Sequence, residues 1–576
     1  MKKQLLLSLT SLLAIGQSYA QAGFEPIDGE ASMLINRLST LSGKFPDSLH
    51  TLVQPLDAKT VANFLSDAKL YNNKIGWSAI DNDRIALAIS NVGEWAMPDG
   101  KGAIPSSKPA GPFYPTQTDF LYSKSRNFFL SVNPVVGVQY NRESSSNADS
   151  RSLLDFTIGG RLKARYKDWL GVDLTLRYVH DQPTAPMLAY DLNRNTVIGG
   201  RRSFSYNANN GTFDYFLPTG VISASLIKNV ISLNVGYDYL KMGDGMRSLI
   251  LSDFSGPVGF ANIRTKIWKL QYDNIYMKLS PDSDIPGNSL TTNHSKYKFA
   301  TAHQLSVNIG KRFNLGLYEM VVFNRNDHFE AGYLNPIIFY RGVERALGSP
   351  DKVAIGINAK AIVAKGFKVY GQFLLNEFSA KEFFSGNGYM HNKWGGQLGF
   401  NYYDAFNIGN LDLQGEINVI RPYTFEHYST NGAYLNSNFT NNNLPLAHPL
   451  GAGFVELIGV AKYRPSAKIL LDARLTYYET GSDVGGMNYG NDLSKDYSKD
   501  VPNMFGVKMI NGPAVKRVLV SLNGSYRLAP NFFFDLGFDY AKTKFSTNSG
   551  SSLAHIHSGL RLNLAAKTEG SIRVAY

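Results

Sequence analysis

The side chains able to do chemistry in this chain recur at spacings of two. Arg161, Lys163 and Arg165 alternate along one stretch and Arg177 follows on the next, a row of fixed cations that would attract anions. Gln372, Gln414 and Glu416 offer the paired donors and acceptors that bind sugar hydroxyls, or equally satisfy one another, and Arg421 opens the segment behind them. Arg341, Glu344 and Arg345 lie between Tyr340 and Pro350, near the aromatic faces of Tyr333, Phe339 and Tyr340. That segment is expected to be an extracellular or lumen-folded loop, either a charged constriction or sugar-binding rim, or a salt-bridge network that fixes the loop. Asp244 stands in Gly243-Asp244-Gly245 with Arg247 just after it; in an exported chain this triplet is a tight loop needing positive φ, not a nucleotide loop.

Metal and enzyme chemistry find little purchase. His555 and His557 share one strand face and could reach one metal, and His427 and His448 bracket a loop rich in Asn and Tyr, but no carboxylate or Cys completes a ligand set. No metal or cofactor is expected. There is no Gly-x-Ser-x-Gly elbow, no His-Glu-x-x-His and no phosphate loop ending in Gly-Lys-Ser/Thr. A non-enzymatic protein is expected.

The elements that must carry these residues are strands. From Asn531 to Ala541 the residues Phe532, Phe534, Leu536, Phe538 and Tyr540 fall on one side of an extended chain and Asp535, Gly537 and Asp539 on the other. Val518 to Leu528 and Ile556 to Leu564 repeat the alternation, as do Phe156 to Tyr166, Val172 to Tyr178 and many later stretches up to Tyr478. Strands of roughly 9 to 11 residues, apolar on one face and charged on the other, are what a barrel wall in lipid requires, because the bilayer offers backbone groups no water. The other face should line a polar lumen. Tight connections such as Lys365-Gly366 and Ala529-Pro530 alternate with long ones such as 181–217, 326–351, 421–450 and 480–512, the periplasmic and extracellular ends of such a barrel. The expectation is an all-β, antiparallel transmembrane barrel of about 18 strands over residues 120–576. Taken literally the strands number one too many for an even barrel, because Gly570 to Tyr576 reads as one more.

The remainder fits an exported chain. Met1-Lys2-Lys3, the apolar run Leu5 to Ile15 and Ser18-Tyr19-Ala20 read as a signal peptide over 1–20. Residues 21–97 carry three stretches at helical spacing, around Leu34, Val61 and Ile85, with Asp57 placed to cap the second and Asp81 or Asp83 the third. A small periplasmic helical domain under or against the barrel mouth is expected, followed by a Pro-rich linker over 98–119. The 576 residues contain 67 Tyr and Phe, 53 Gly and no Cys, with a net charge of +12. Outer-membrane lipid, lipopolysaccharide and acidic surface polysaccharide are therefore the expected partners, with the outer-membrane assembly machinery for insertion and no role for nucleic acid.

Several stretches carry a resemblance. Gly243 to Asp253, Tyr333-Leu334-Asn335-Pro336 running to Arg341 and Glu344, Leu347 to Asp351, Gly371 to Phe378, Asn392-Lys393-Trp394, Leu413-Gln414-Gly415-Glu416, Arg421-Pro422-Tyr423 and Ala447 to Ala452 resemble the Wzi-like capsule-assembly outer-membrane family and its RemB-type gliding-motility relatives. The resemblance spans roughly residues 240 to 465. It implies an outer-membrane, cell-surface protein that anchors or organises capsule or exopolysaccharide, or supports gliding motility and adhesion. An anion-preferring porin-like channel is the competing expectation. The candidate binding or constriction residues are Asp244, Arg247, Arg341, Glu344, Gln372, Gln414, Glu416, Arg421 and His448.

Overall fold

The computed structural model describes residues 24–564, apart from short internal stretches of which 283–295, 429–436 and 96–103 are the longest. The expected signal peptide and the possible last strand at 570–576 lie outside the described residues. Eighteen long strands form one closed antiparallel wall. In chain order they are β1 (Phe128–Ser145), β2 (Ala148–Tyr166), β3 (Leu170–Asp181), β4 (Thr212–Ile227), β5 (Ile231–Asp238), β6 (Val258–Ile267), β7 (Leu270–Leu279), β8 (Lys298–Ile309), β9 (Phe313–Phe323), β10 (Lys352–Ala364), β11 (Phe367–Glu377), β12 (Lys393–Tyr402), β13 (Leu411–Ile420), β14 (Phe454–Ser466), β15 (Ile469–Thr480), β16 (Val515–Ala529), β17 (Phe532–Phe545) and β18 (Ser551–Leu562). β18 closes on β1, with Leu553 opposite Ser145 and Leu562 opposite Val136. The count is therefore even without residues 570–576, as a single antiparallel chain requires.

Burial is inverted relative to a water-soluble domain. Ile158, Ile222, Leu398, Leu475 and Leu536 are each more than half exposed on the outer wall, while Asp273, Asn418, Glu456 and Asp539 are buried inside. No helix among the described residues is long and apolar enough to cross a membrane.

The lumen wall is not polar throughout, as the alternation leads one to expect. On the inward faces of β7 to β11, Ile275, Met277, Ala300, Ala302, Met320, Val322, Ala354 and Leu374 are apolar and buried, and they pack on Leu249, Ile250, Phe425, Phe439 and Leu446 from two long loops. Those loops fold inward because the wall there offers apolar surface to cover.

The helical segment also sits deeper than expected. Helices α1 (Glu30–Ser42), α2 (Ala58–Leu70) and α3 (Ala79–Val92) share a core of Leu34, Leu38, Val61, Leu65, Ile85 and Ile89, following the sequence periodicity. Asp57 accepts from the Thr60 amide at 2.7 Å. Ser78, not Asp81 or Asp83, caps α3 by accepting from the Asp81 amide. The bundle enters the short-turn mouth. Arg37 of α1 meets Asp404 at 2.7 Å and Asp412 at 2.5 Å, Glu30 meets Arg464 at 2.7 Å, and Asp83 meets Arg527 at 2.6 Å. The connection between α1 and α2 runs further up, where the Leu52 carbonyl accepts from the Gly243 amide at 2.8 Å.

Candidate functional site

Residues 239–257, between β5 and β6, dip from the long-loop end into the lumen and are held there by inward side chains of the wall. Gly243 turns the chain at φ +124°, a conformation only glycine takes freely. Beyond it, Glu416 of β13 accepts from the amides of Met246 at 2.7 Å and Arg247 at 3.0 Å. Tyr370 donates to the same carboxylate at 2.8 Å and receives the Gln414 amide at 2.9 Å. Gln372 accepts from the Leu249 amide at 2.7 Å. The Arg247 guanidinium binds Glu456 at 3.0 Å, His448 reaches the same carboxylate at 2.8 Å, and Asn418 bridges Glu416 and Glu456 at 2.9 and 3.0 Å. Lys360 holds Asp244 at 2.9 Å, and the Thr51 hydroxyl from the helical segment bonds to that carboxylate too.

Six of the nine candidate residues thus converge on one latch: Asp244, Arg247, Gln372, Gln414, Glu416 and His448. Burial pushes the Asp244 carboxyl up, but Lys360 and Lys368 outweigh it and hold it below its ordinary range. Burial lowers the His448 imidazole and Glu456 only partly offsets this. Sequence reading missed Glu456, Asn418, Lys360 and Tyr370. Asn418 follows Glu416 by two on one strand face, whereas Glu456 lies opposite Asn418 only through the β13 to β14 register.

Arg341 and Glu344 lie elsewhere: the segment expected as an extracellular or lumen-folded loop lies against the outer wall, where the hydroxyls of Tyr272 and Tyr276 donate to the carbonyls of Pro336 and Leu334. The connection from Phe323 to Lys352 folds down the outside of the wall. His303 and Glu319 pair across β8 and β9 with Asn274 and Ile355 on the same outward face, yet both are buried. The covering helix α4 (Tyr340–Leu347) explains this. Glu319 accepts from the amides of Phe339 and Tyr340, and the Tyr340 hydroxyl meets His303 Nε2 at 2.7 Å. A carboxyl and an imidazole left facing lipid would cost a few kcal/mol, and this flap removes that cost by hydrogen-bonding both. Arg341 pairs with Glu344 at 3.3 Å on the flap's outer side, so neither forms a constriction.

Arg421 belongs to the long-loop surface. Its guanidinium contacts the carbonyls of Tyr389 and Val507, each at 3.4 Å, joining the β11–β12 loop to the β15–β16 loop. The Tyr389 ring lies 5.3 Å from Phe505, which is half exposed, and 5.1 Å from His391. Beneath, Lys352 and Lys393 share Glu377 at 2.9 and 3.0 Å, and Lys393 lies 3.4 Å from the Tyr497 ring centre. Aromatic faces over polar donors of this kind suit a flexible, hydroxyl-rich ligand.

The row of lumen cations does point inward; Arg161, Lys163 and Arg165 meet acidic or aromatic partners, whereas the Nε of Arg177 is buried without a hydrogen-bond partner. Arg161 binds Asp173 at 2.6 Å, Lys163 lies 3.6 Å from Asp119, and Arg165 stands over the Phe129 ring. Near them a cavity of about 570 Å³ separates the helical segment from β1, β2 and β14 to β18. Towards the long-loop end, the inward side chains of Tyr478, Leu519, Ala541 and Leu553 pack against Leu450. His555 binds Asp539 at 3.1 Å and His557 meets Asn523 at 3.1 Å. No group of three metal-ligating side chains occurs among the described residues.

A solved structure shares this architecture. Wzi of Escherichia coli, an outer-membrane protein involved in group 1 capsule assembly and titled a carbohydrate-binding β-barrel, superposes with a TM-score of 0.54 at 11% identity, over 96% of this chain and 100% of its own. The chain has the Wzi fold. OccK9 (OpdG) and OpdK with vanillate, both from Pseudomonas aeruginosa, align over 75% of the chain and 98% of theirs with TM-scores of 0.42 and 0.41 at 11% and 8% identity. No family model matches the sequence, and no curated protein matches it.

The contact between the helical segment and the latch should respond to acid. His50, beside the latch residue Thr51, meets Ser306 at 2.7 Å. Burial, with help from Lys360 and Lys266, lowers its pKa from 6.5 to about 3. A depressed histidine pKa contributes stability that is whole above pH 6.5 and is lost as pH falls towards 3, by about 1.4 kcal/mol per pH unit. Glu30, where burial is outweighed by Arg464 and Arg84, is lowered from 4.5 to about 2 and adds loss only below pH 4.5. Glu25, raised by burial from 4.5 to about 7, contributes stability that is whole below pH 4.5 and lost as pH rises through 7, so it offsets the His50 loss between those values. Protease sensitivity of the helical segment should therefore rise steeply only below pH 4.5, and His50→Gln should lower it relative to the wild type between pH 6.5 and 3; superimposable profiles would contradict this assignment.

Proposed function

We propose that the chain is a non-enzymatic, integral outer-membrane barrel, closed to free diffusion, whose long-loop face binds and anchors surface polysaccharide. The observation that carries this is the combination of a filled lumen with an aromatic outer patch. The helical segment, the latched loop and Leu450 occupy the lumen, while Tyr389, His391 and Phe505 are presented outward over Arg421. Short turns then face the periplasm and long loops the exterior. Apolar strand faces in contact with lipid, the Wzi fold, and the carbohydrate binding named for Wzi itself support this reading. An anion-selective pore would need lumen cations open to solute, and Arg161 and Lys163 face Asp173 and Asp119 instead.

The test is binding of polysaccharide released from the protein's own cell surface to the purified full chain. Tyr389→Ala with Phe505→Ala should weaken binding roughly tenfold, the size of a dominant contact residue, without changing thermal stability. Equal binding by wild type and variant would sink the assignment. A deletion strain should shed its surface polysaccharide while solute permeability stays the same. Gliding or adhesion through the same face is the other role; a deletion strain that keeps its polysaccharide but stops gliding would favour it.

A further inference from the structure

The short-turn rim carries a second pattern that the latch and the outer face leave unused. Exposed cations stand on five of the turns around the circumference: Lys167, Lys228, Lys311 with Arg312, Lys365 and Lys468. Lys269 stands half-buried on a sixth. Among the described turn residues the one carboxylate, Asp404, is taken by Arg37. Two of the rim cations also touch the helical segment, Arg312 through the Gly43 carbonyl at 3.3 Å and Lys269 through Asp47 at 3.8 Å. Arg464 and Arg527 are aimed inward at Glu30 and Asp83 of the helical segment. The turn lysines lie beyond the last outward apolar residues of the wall.

Those neighbouring residues fix the level of the ring. Tyr166 and Trp169 flank Lys167, Leu226 and Ile227 precede Lys228, Ile309 and Phe313 bracket Lys311, and Val363 precedes Lys365, all of them exposed. Trp268 is 79% exposed, which in water would be a large penalty and at a bilayer edge is the favoured place for an indole. The Lys167 and Lys269 ammonium groups lie 5.5 and 5.3 Å from the ring centres of Tyr166 and Trp268. Apolar stems and rings in the acyl layer, with ammonium heads at its edge, match a bilayer interface. A soluble anionic partner would leave the rings in water.

We propose that this rim is a docking ring for anionic phospholipid head groups of the periplasm-facing leaflet. Phosphate head groups sit at the level of the ammonium groups, and their acyl chains cover Trp169, Trp268 and the adjoining wall. The ring rests on the outer-membrane reading above but not on polysaccharide binding. Its effect is to hold the barrel upright at the mouth where the helical segment enters, because several weak contacts spread around a circle resist tilt in every direction.

Trp169 and Trp268 provide the readout. The full chain with Trp394→Phe, which leaves Trp77 and Trp95 buried in the helical segment, is reconstituted in phosphatidylcholine vesicles. Either brominated phosphatidylglycerol or brominated phosphatidylcholine is then added as quencher. The anionic quencher should act at about fivefold lower mole fraction, the size of one Lys or Arg near an anionic surface, and high salt should erase the difference. Changing Lys167, Lys228, Lys269, Lys311, Arg312, Lys365 and Lys468 together to Gln should equalise the two quenchers. Equal quenching in the unmodified ring overturns the proposal and leaves the barrel reading intact. Absence of quenching by either lipid overturns both.

Discussion

Replacing Arg37 with methionine is expected to release the helical segment from the barrel while leaving the wall assembled. Arg37 is 1% exposed and its guanidinium meets Asp81 at 2.8 Å, Asp404 at 2.7 Å and Asp412 at 2.5 Å. One cation therefore ties α3 and the β12–β13 turn to α1. Methionine keeps the apolar stem and removes the charge, leaving Asp81, 2% exposed, facing two further carboxylates. Breaking a buried pair in this way costs about 3–5 kcal/mol. Of the remaining pairs, Glu30 with Arg464 and Asp83 with Arg527 have carboxylates a third or more exposed and contribute only about 1 kcal/mol each; Asp47 lies 3.8 Å from Lys269, and Glu94 with Lys124 at 2.9 Å ties the segment's end to the short strand beside β1. Limited proteolysis should then remove residues 24–95 from the variant under conditions that leave the wild type whole, with the heat-resistant gel mobility of the barrel retained. Wild-type resistance would show that the apolar contacts hold the segment without Arg37.

Arg247→Leu should open the latch from the other side. The substitution leaves Glu456, 1% exposed, with His448 and Asn418 but no fixed cation. About 3–5 kcal/mol is again the expected loss. The loop at 239–257 would lose its side-chain anchor to β14 and keep the amide contacts to Glu416, so intermittent opening is expected rather than a permanent pore. Adding Glu456→Gln removes the stranded charge, and the double variant should recover part of the lost stability. That non-additivity, measured as a double-mutant cycle in denaturant, separates a charge latch from simple packing. Additive losses would contradict the assigned pairing.

The wall was legible in the sequence because a strand in lipid must alternate, and Phe532 to Tyr540 or Phe156 to Tyr166 can satisfy that rule in only one register. The helices were legible for the same reason at a different period. What the alternation rule hides is burial on both faces. Met320-Val321-Val322-Phe323 and Phe373-Leu374-Leu375 are continuous apolar runs, the mark of strands covered on two sides. One side is the internal core and, at β9, the other is the flap. Reading them as ordinary lipid-facing strands gives a uniformly polar lumen and no outer surface to cover, which leaves Arg341 and Glu344 to an extracellular or lumen-folded loop.

The latch was half legible. Glu416 and Gln372 announce themselves as polar residues on the inward face, but the groups they bind are backbone amides of Met246, Arg247 and Leu249, which carry no residue-type signal. Arg247 and Glu456 are 209 positions apart, and only the closed wall brings them together. The ring of rim lysines was visible throughout as a Lys in most tight turns. Its meaning depended on knowing which side of each turn faces the helical segment.

Single-channel recording of the purified full-length protein in a planar bilayer bears most directly on the central claim, that this barrel spans the membrane with its lumen filled. The wild type should insert and carry almost no current at neutral pH, whereas Arg247→Leu under the same conditions should show intermittent openings. A large, steady, anion-selective current through the wild type would contradict the filled lumen and with it the anchoring role proposed for the outer face.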